Sequence, residues 1–95
     1  MNIYEIYKEH GDEEFLKFER VEHKRSQRPD LHAFLLLDAL APSTFDIVSA
    51  AEHDEIFLEV SPDKLGEVAT EEQVVELIRC GVRLDTRIDS LAMFV

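Results

Sequence analysis

Four histidines, one cysteine and 21 carboxylates are the side chains with which this 95-residue chain could do chemistry, and their spacing narrows what that chemistry can be. His10, His23, His32, His53 and Cys80 never fall at the paired separations of a structural zinc site, so no metal is expected. His53-Asp54-Glu55 is the nearest thing to a ligand cluster, and a solvated turn accounts for it. Cys80 is the sole cysteine, which excludes an intramolecular disulfide. With no bases beside it to stabilise a thiolate, it reads as a small buried apolar group. His32, on a mostly apolar stretch, reads as a half-buried histidine bonded to backbone. Asp38, Asp46 and Asp54 could work as acid and base only if the fold made them converge. Gly11, Gly66 and Gly81 are isolated and cannot build a phosphate-cradling loop, and neither G-x-S-x-G nor H-E-x-x-H occurs. No cofactor is expected, and enzyme activity ranks last among the function classes.

Charge is the strongest compositional fact, with 21 acidic against 10 basic residues and a net charge of −11. The excess is uneven, −3 over residues 1–42 (nine acids, six bases) and −8 over residues 43–95 (twelve acids, four bases). Solubility alone could explain it; the sharper reading is a basic partner. Glu67, Glu71, Glu72 and Glu76 are the candidate partner-binding residues, since a helix that turns Val74, Val75, Leu77 and Ile78 inward leaves these carboxylates outward. One basic cluster, Lys17, Arg20, Lys24 and Arg28, would form a positive stripe if a helix ran through it. Glutamates are interleaved with it, so a salt-bridged face is the plainer reading.

The elements that must position these groups are clearest from Glu55 onward. Thr70 with Gln73 three residues on is a capping-box pattern, Glu71, Glu72 and Arg79 suit the helix dipole, and Gly81 can close the helix. Glu55 to Val60 reads as a strand, Ser61-Pro62 starts a short helix to Val68, and Val82–Asp85 and Leu91–Val95 read as a hairpin. Glu55–Val60 is expected to pair with one of those two strands, giving a three-stranded sheet. Upstream, a helix to His10 before Gly11 is expected. A second, capped by Asp12, carries Phe15, Phe18 and Val21 to about Arg25, and a core helix runs from Leu31 to Leu40. Ser43 is expected to start another helix with Phe45, Val48 and Ala51 on one side. The chain fits one domain, with a helical part over 1–42 and a second part over 43–95. Its longest apolar run, Ala33 to Leu37, is too short to cross a bilayer, and nothing at the N-terminus resembles a signal peptide, so a soluble cytoplasmic protein is expected.

From Ser43 the expected order is helix, strand, helix, helix, strand, loop, strand. This α+β order resembles that of winged-helix domains. The resemblance implies DNA binding, with Arg83 and Arg87 in the wing and Lys17, Arg20, Lys24 and Arg28 as further contacts. The charge opposes it: the helix that would meet bases begins with Glu71, Glu72 and Gln73, whereas useful affinity commonly draws on ~6 to 10 phosphate contacts. A specific DNA reader is not expected. The reading favoured here is a non-enzymatic acidic module, an inhibitor or adaptor that engages a protein partner with a basic surface. A winged-helix regulator binding DNA as a dimer is the alternative, and a structural homo-oligomer is the third. A homodimer is compatible with each.

Overall fold

A computed structural model describes residues 2–95. In chain order these form α1 (Ile3–Glu14), α2 (Pro29–Leu40), β1 (Val48–Glu52), β2 (Glu55–Leu58), α3 (Pro62–Val68), α4 (Glu71–Arg79), β3 (Arg83–Asp85) and β4 (Ser90–Phe94). The fold is α+β: four α-helices and an antiparallel sheet ordered β1-β2-β4-β3.

The local signals of the C-terminal half act as their chemistry requires. Both arms of the capping box form, with Gln73 N–H donating to Thr70 Oγ1 at 3.2 Å and Thr70 N–H donating to Gln73 Oε1 at 2.9 Å. At the other end of α4, Gly81 takes φ +100°. Its N–H donates to the Ile78 carbonyl at 2.9 Å, and Val82 N–H reaches back to Leu77 at 3.0 Å, a Schellman closure that satisfies two terminal carbonyls. Ser61 caps α3 through Lys64 N–H at 3.1 Å. β2 pairs with β4 as expected, from Glu55 opposite Phe94 to Phe57 opposite Ala92.

The sheet has a fourth strand where a helix was expected. Ser43 caps no helix: its Oγ accepts from Phe45 N–H in a tight local turn, and Val48–Glu52 becomes β1. The cause is β2, which has two edges to satisfy, one taken by β4 and the other by β1 through the two-residue His53-Asp54 turn, with His53 at φ 46°.

The expected break at Gly11 and the helix from Asp12 to about Arg25 are also absent. α1 runs through Gly11 because Ile3 and Ile6 are buried along it, and burial outweighs glycine's helix cost of ~1 kcal/mol. It ends at Glu14, just before Leu16, which adopts φ 62° and donates its N–H to the Ile78 carbonyl at 3.3 Å. Phe15, Phe18 and Val21 still face the core, from a turn, a short 3₁₀ segment (Phe18–Arg20) and extended chain. Three-residue apolar spacing is satisfied as well by this path as by a helix. α2 ends at Leu40 as expected but starts two residues earlier, with Pro29 in its first turn, and it is not buried all round. His32, Ala33, Leu36 and Leu37 face in, while Leu31 and Leu35 face out.

One core cluster joins α1 and α2 to the C-terminal elements, with Ile3, Leu36, Leu58, Leu65, Leu77 and Leu91 among its members. No helix among the described residues is long and apolar enough to cross a membrane.

Candidate functional site

The four glutamates singled out on α3 and α4 differ in exposure and in partners. Glu67 is exposed, 4.0 Å from Lys64. Glu72 is exposed on the first turn of α4. Glu71 turns toward α1, where it, Glu9 and His10 bring one potential ligand atom each to within 4.8 Å of one another. Such a donor set suits a borderline divalent ion. The carboxylates are solvated, however, and nothing but the three donors distinguishes the spot from a charged seam between helices. Sequence spacing missed it because its members lie on different helices.

Glu76 is engaged internally. Its Oε2 accepts from His32 Nε2 at 3.0 Å, and the ring's Nδ1 accepts from the Arg25 amide at 3.0 Å. An amide can only donate, so the ring proton sits on Nε2. His32 is 1 % exposed, with the Phe18 ring edge-on to it. The imidazole therefore staples the irregular 21–28 segment and α2 to α4. It bonds both backbone, as its sequence context suggests, and a carboxylate far away in the chain.

The basic stripe needs a helix through residues 17–28, and none forms. Arg20 pairs with Glu14 at 3.1 Å, Lys24 donates to the Val21 carbonyl at 2.8 Å and lies over Phe18, and Arg28 is 3.8 Å from Asp30. Lys17 is exposed beside the 3₁₀ segment. In the β3–β4 hairpin Arg83 pairs with Glu55 and stacks on Phe94, while Arg87 grips Asp85 at 3.0 Å. The Arg87 hydrogen bond, first among several contacts, holds the Asp85 carboxyl below the usual range; Arg79 does the same for Glu14, with help from Arg20. Most of these cations are spent on the protein's own carboxylates.

Cys80 is 2 % exposed, and burial together with the Glu76 charge pushes its thiol up to about 12. A cavity of about 480 Å³ opens between α1 and β3, lined by Tyr4, Tyr7, Phe15, Ile78, Arg83 and Phe94. Its two phenols already have partners. Tyr4 donates to Asp89 at 2.5 Å, which pushes its phenol up to about 12; Tyr7 donates to the Val82 carbonyl at 2.9 Å, and burial raises its phenol well above the usual range. Asp38 and Asp46 do line a common groove, but Asp54 sits apart in the β1–β2 turn.

That groove lies in a stretch of the chain that the sequence reading did not single out. Residues 29–63 carry eight carboxylates (Asp30, Asp38, Asp46, Glu52, Asp54, Glu55, Glu59 and Asp63) and no lysine or arginine. All but Glu55 are exposed. Among them stand apolar side chains left in water: Leu31 at 43 %, Leu35 at 41 % and Phe45 at 75 % exposure. The groove between α2 and residues 45–48 measures about 710 Å³; a second hollow, of about 300 Å³, lies on the other side of Phe45. The 35-residue run without lysine or arginine was readable in the sequence. Its combination with unburied Leu31 and Leu35 was not, because a helix with leucines on several faces gives no sign of which face is covered.

No protein family model, curated protein or solved structure matches the chain. The winged-helix resemblance therefore rests on element order alone, and one of the expected elements, the helix from Ser43, is a strand.

Proposed function

We propose that this protein is a non-enzymatic binding module that engages a protein partner with a basic surface. The observation that carries the reading is the 29–63 region, which has eight carboxylates, seven of them exposed over α2, the following loop, the β1–β2 hairpin and the start of α3, and no lysine or arginine. A single-sign field of this kind steers a cationic partner and rejects anionic ones, nucleic acid included. The inward use of Glu76 shifts the emphasis from α4 toward this face, with Glu67, Glu71 and Glu72 adding to the same negative field. The DNA-binding alternative is opposed by the pairing of Arg83 and Arg87 with Glu55 and Asp85 and by the acidic start of α4. An oligomer built through this face would set like charges together.

The test is capture of partners on the immobilised protein at low salt, followed by reconstitution with the purified partner. Association should slow with rising salt, and an Asp38→Lys, Asp46→Lys, Glu59→Lys variant should associate at least tenfold more slowly. An unchanged rate in the variant would refute the reading. Association with random duplex DNA tighter than about 10 μM, with a steep salt slope at 0.15 M, would replace it with the regulator.

A further inference from the structure

We infer that the groove between α2 and residues 45–48 seats an amphipathic helix of the partner, with apolar residues at its centre and lysine or arginine along its flanks. The inference rests on the acidic-module reading and specifies how the partner is held.

Leu31, Phe34, Leu35 and Asp38 fall at i, i+3, i+4 and i+7 of α2 and line one wall of the groove. Phe45, Ile47 and Val48 form the other wall with Asp46. Leu31 and Leu35 expose about two-fifths of their surface and Phe45 three-quarters, so the groove has apolar contact area to give that its own core does not use. Phe45 stands between two hollows that share Asp38, Asp46 and Ile47, which makes it the natural knob for a facing helix to pack around. Helix-in-groove recognition uses this arrangement, an apolar centre with charge at the rim.

Charge decides the occupant's sign. Asp38 and Asp46 border the first hollow, Glu59 joins them at the second, and Lys64 is the one base lining either. A second copy of this chain would bring its own Asp38 and Asp46 against these. Addition of a partner strand to β1 is disfavoured by the strand itself: its register shifts between Val48 and Ala50, and Ser49 turns its hydroxyl back to the Phe57 carbonyl. The long wall, α2, has 12 residues and runs about 18 Å, which a partner helix of three to four turns would cover.

The probe is a labelled synthetic 15-residue peptide with leucine at helical spacing and lysine elsewhere, compared with a scrambled peptide of identical composition at about 0.15 M salt, where charges beyond ~8 Å are screened. The patterned peptide should become helical and bind at least tenfold more tightly than the scrambled one. Amide shifts should concentrate at residues 31–38 and 45–48. Phe45→Ser, at a position too exposed to unfold the protein, should remove most of that preference, and Asp38→Asn with Asp46→Asn should flatten the salt dependence. Equal, salt-sensitive binding of both peptides would overturn the groove and leave the acidic module standing. Binding of neither would overturn both. Shifts confined to α4, or a dimer in solution that buries Phe45, would also overturn the groove.

Discussion

Replacing His32 by leucine tests whether one buried imidazole holds the irregular 21–28 segment and α2 to α4. Leucine fills a similar apolar volume, so the loss isolates the polar contacts: the Arg25 amide at Nδ1 and the Glu76 carboxylate at Nε2, both at 3.0 Å. A neutral hydrogen bond contributes about 0.5–1.5 kcal/mol net and one to a charged group about 1.5–3 kcal/mol, so the pair amounts to roughly 2–4.5 kcal/mol. In a domain of this size each kcal/mol moves the midpoint by about 4–8 °C, so a fall of at least about 8 °C is expected. Glu76→Gln, which keeps an acceptor, should cost about 1 kcal/mol; Glu76→Lys should cost more, because it sets an ammonium against the imidazole N–H. Glu76 is thus no neutral surface position for charge reversal, unlike Glu72. Urea denaturation followed by circular dichroism gives the stabilities, and hydrogen exchange at the Arg25 amide gives the local effect. A His32→Leu protein within about 0.5 kcal/mol of the parent, with Arg25 still protected, would refute the argument, because surface-like substitutions fall in that range.

Gly81→Ala should destabilise by at least about 1 kcal/mol in the same denaturation assay, because alanine is strained at φ +100° and its Cβ would come within 2.8 Å of Leu16 Cδ2. The Asp85 carboxyl is held low in the fold, first by Arg87, so its contribution is complete above the unfolded value near ~3.9 and is lost as pH falls through the folded value. Denaturation midpoints should therefore drop more steeply below about pH 4 in the parent than in Asp85→Asn, where that linkage is gone. Cys80 should resist a thiol reagent at pH 8 in the native protein and react fully in denaturant, since its buried thiol is pushed up to about 12; rapid native labelling would contradict its burial.

What the sequence determined by itself is concentrated where a structural decision is made within a few residues. The Thr70 capping box, the Ser61-Pro62 start and the Gly81 closure each join groups fewer than six positions apart, so neighbouring residues are enough to specify them. The strand at Glu55 and the C-terminal hairpin follow from short apolar runs bounded by turn residues. The net acidity and the lack of catalytic or phosphate-loop motifs were equally legible, and they favoured a binding role without saying which face carries it. Tertiary structure decided the rest, because it assigned partners across the chain. β1 is a strand because β2 had an edge to fill, not because Val48–Glu52 demands one. Residues 15–25 leave the helix because Leu16 bonds Ile78 and Arg25 bonds His32, contacts 62 and seven positions distant. Glu76 reads as surface until His32 is placed beneath it. Leu31 and Leu35 read as core until Leu36 and Leu37 take the inward side of α2. Which carboxylates and which apolar groups stay exposed is a remainder, set only once every internal pairing has been made.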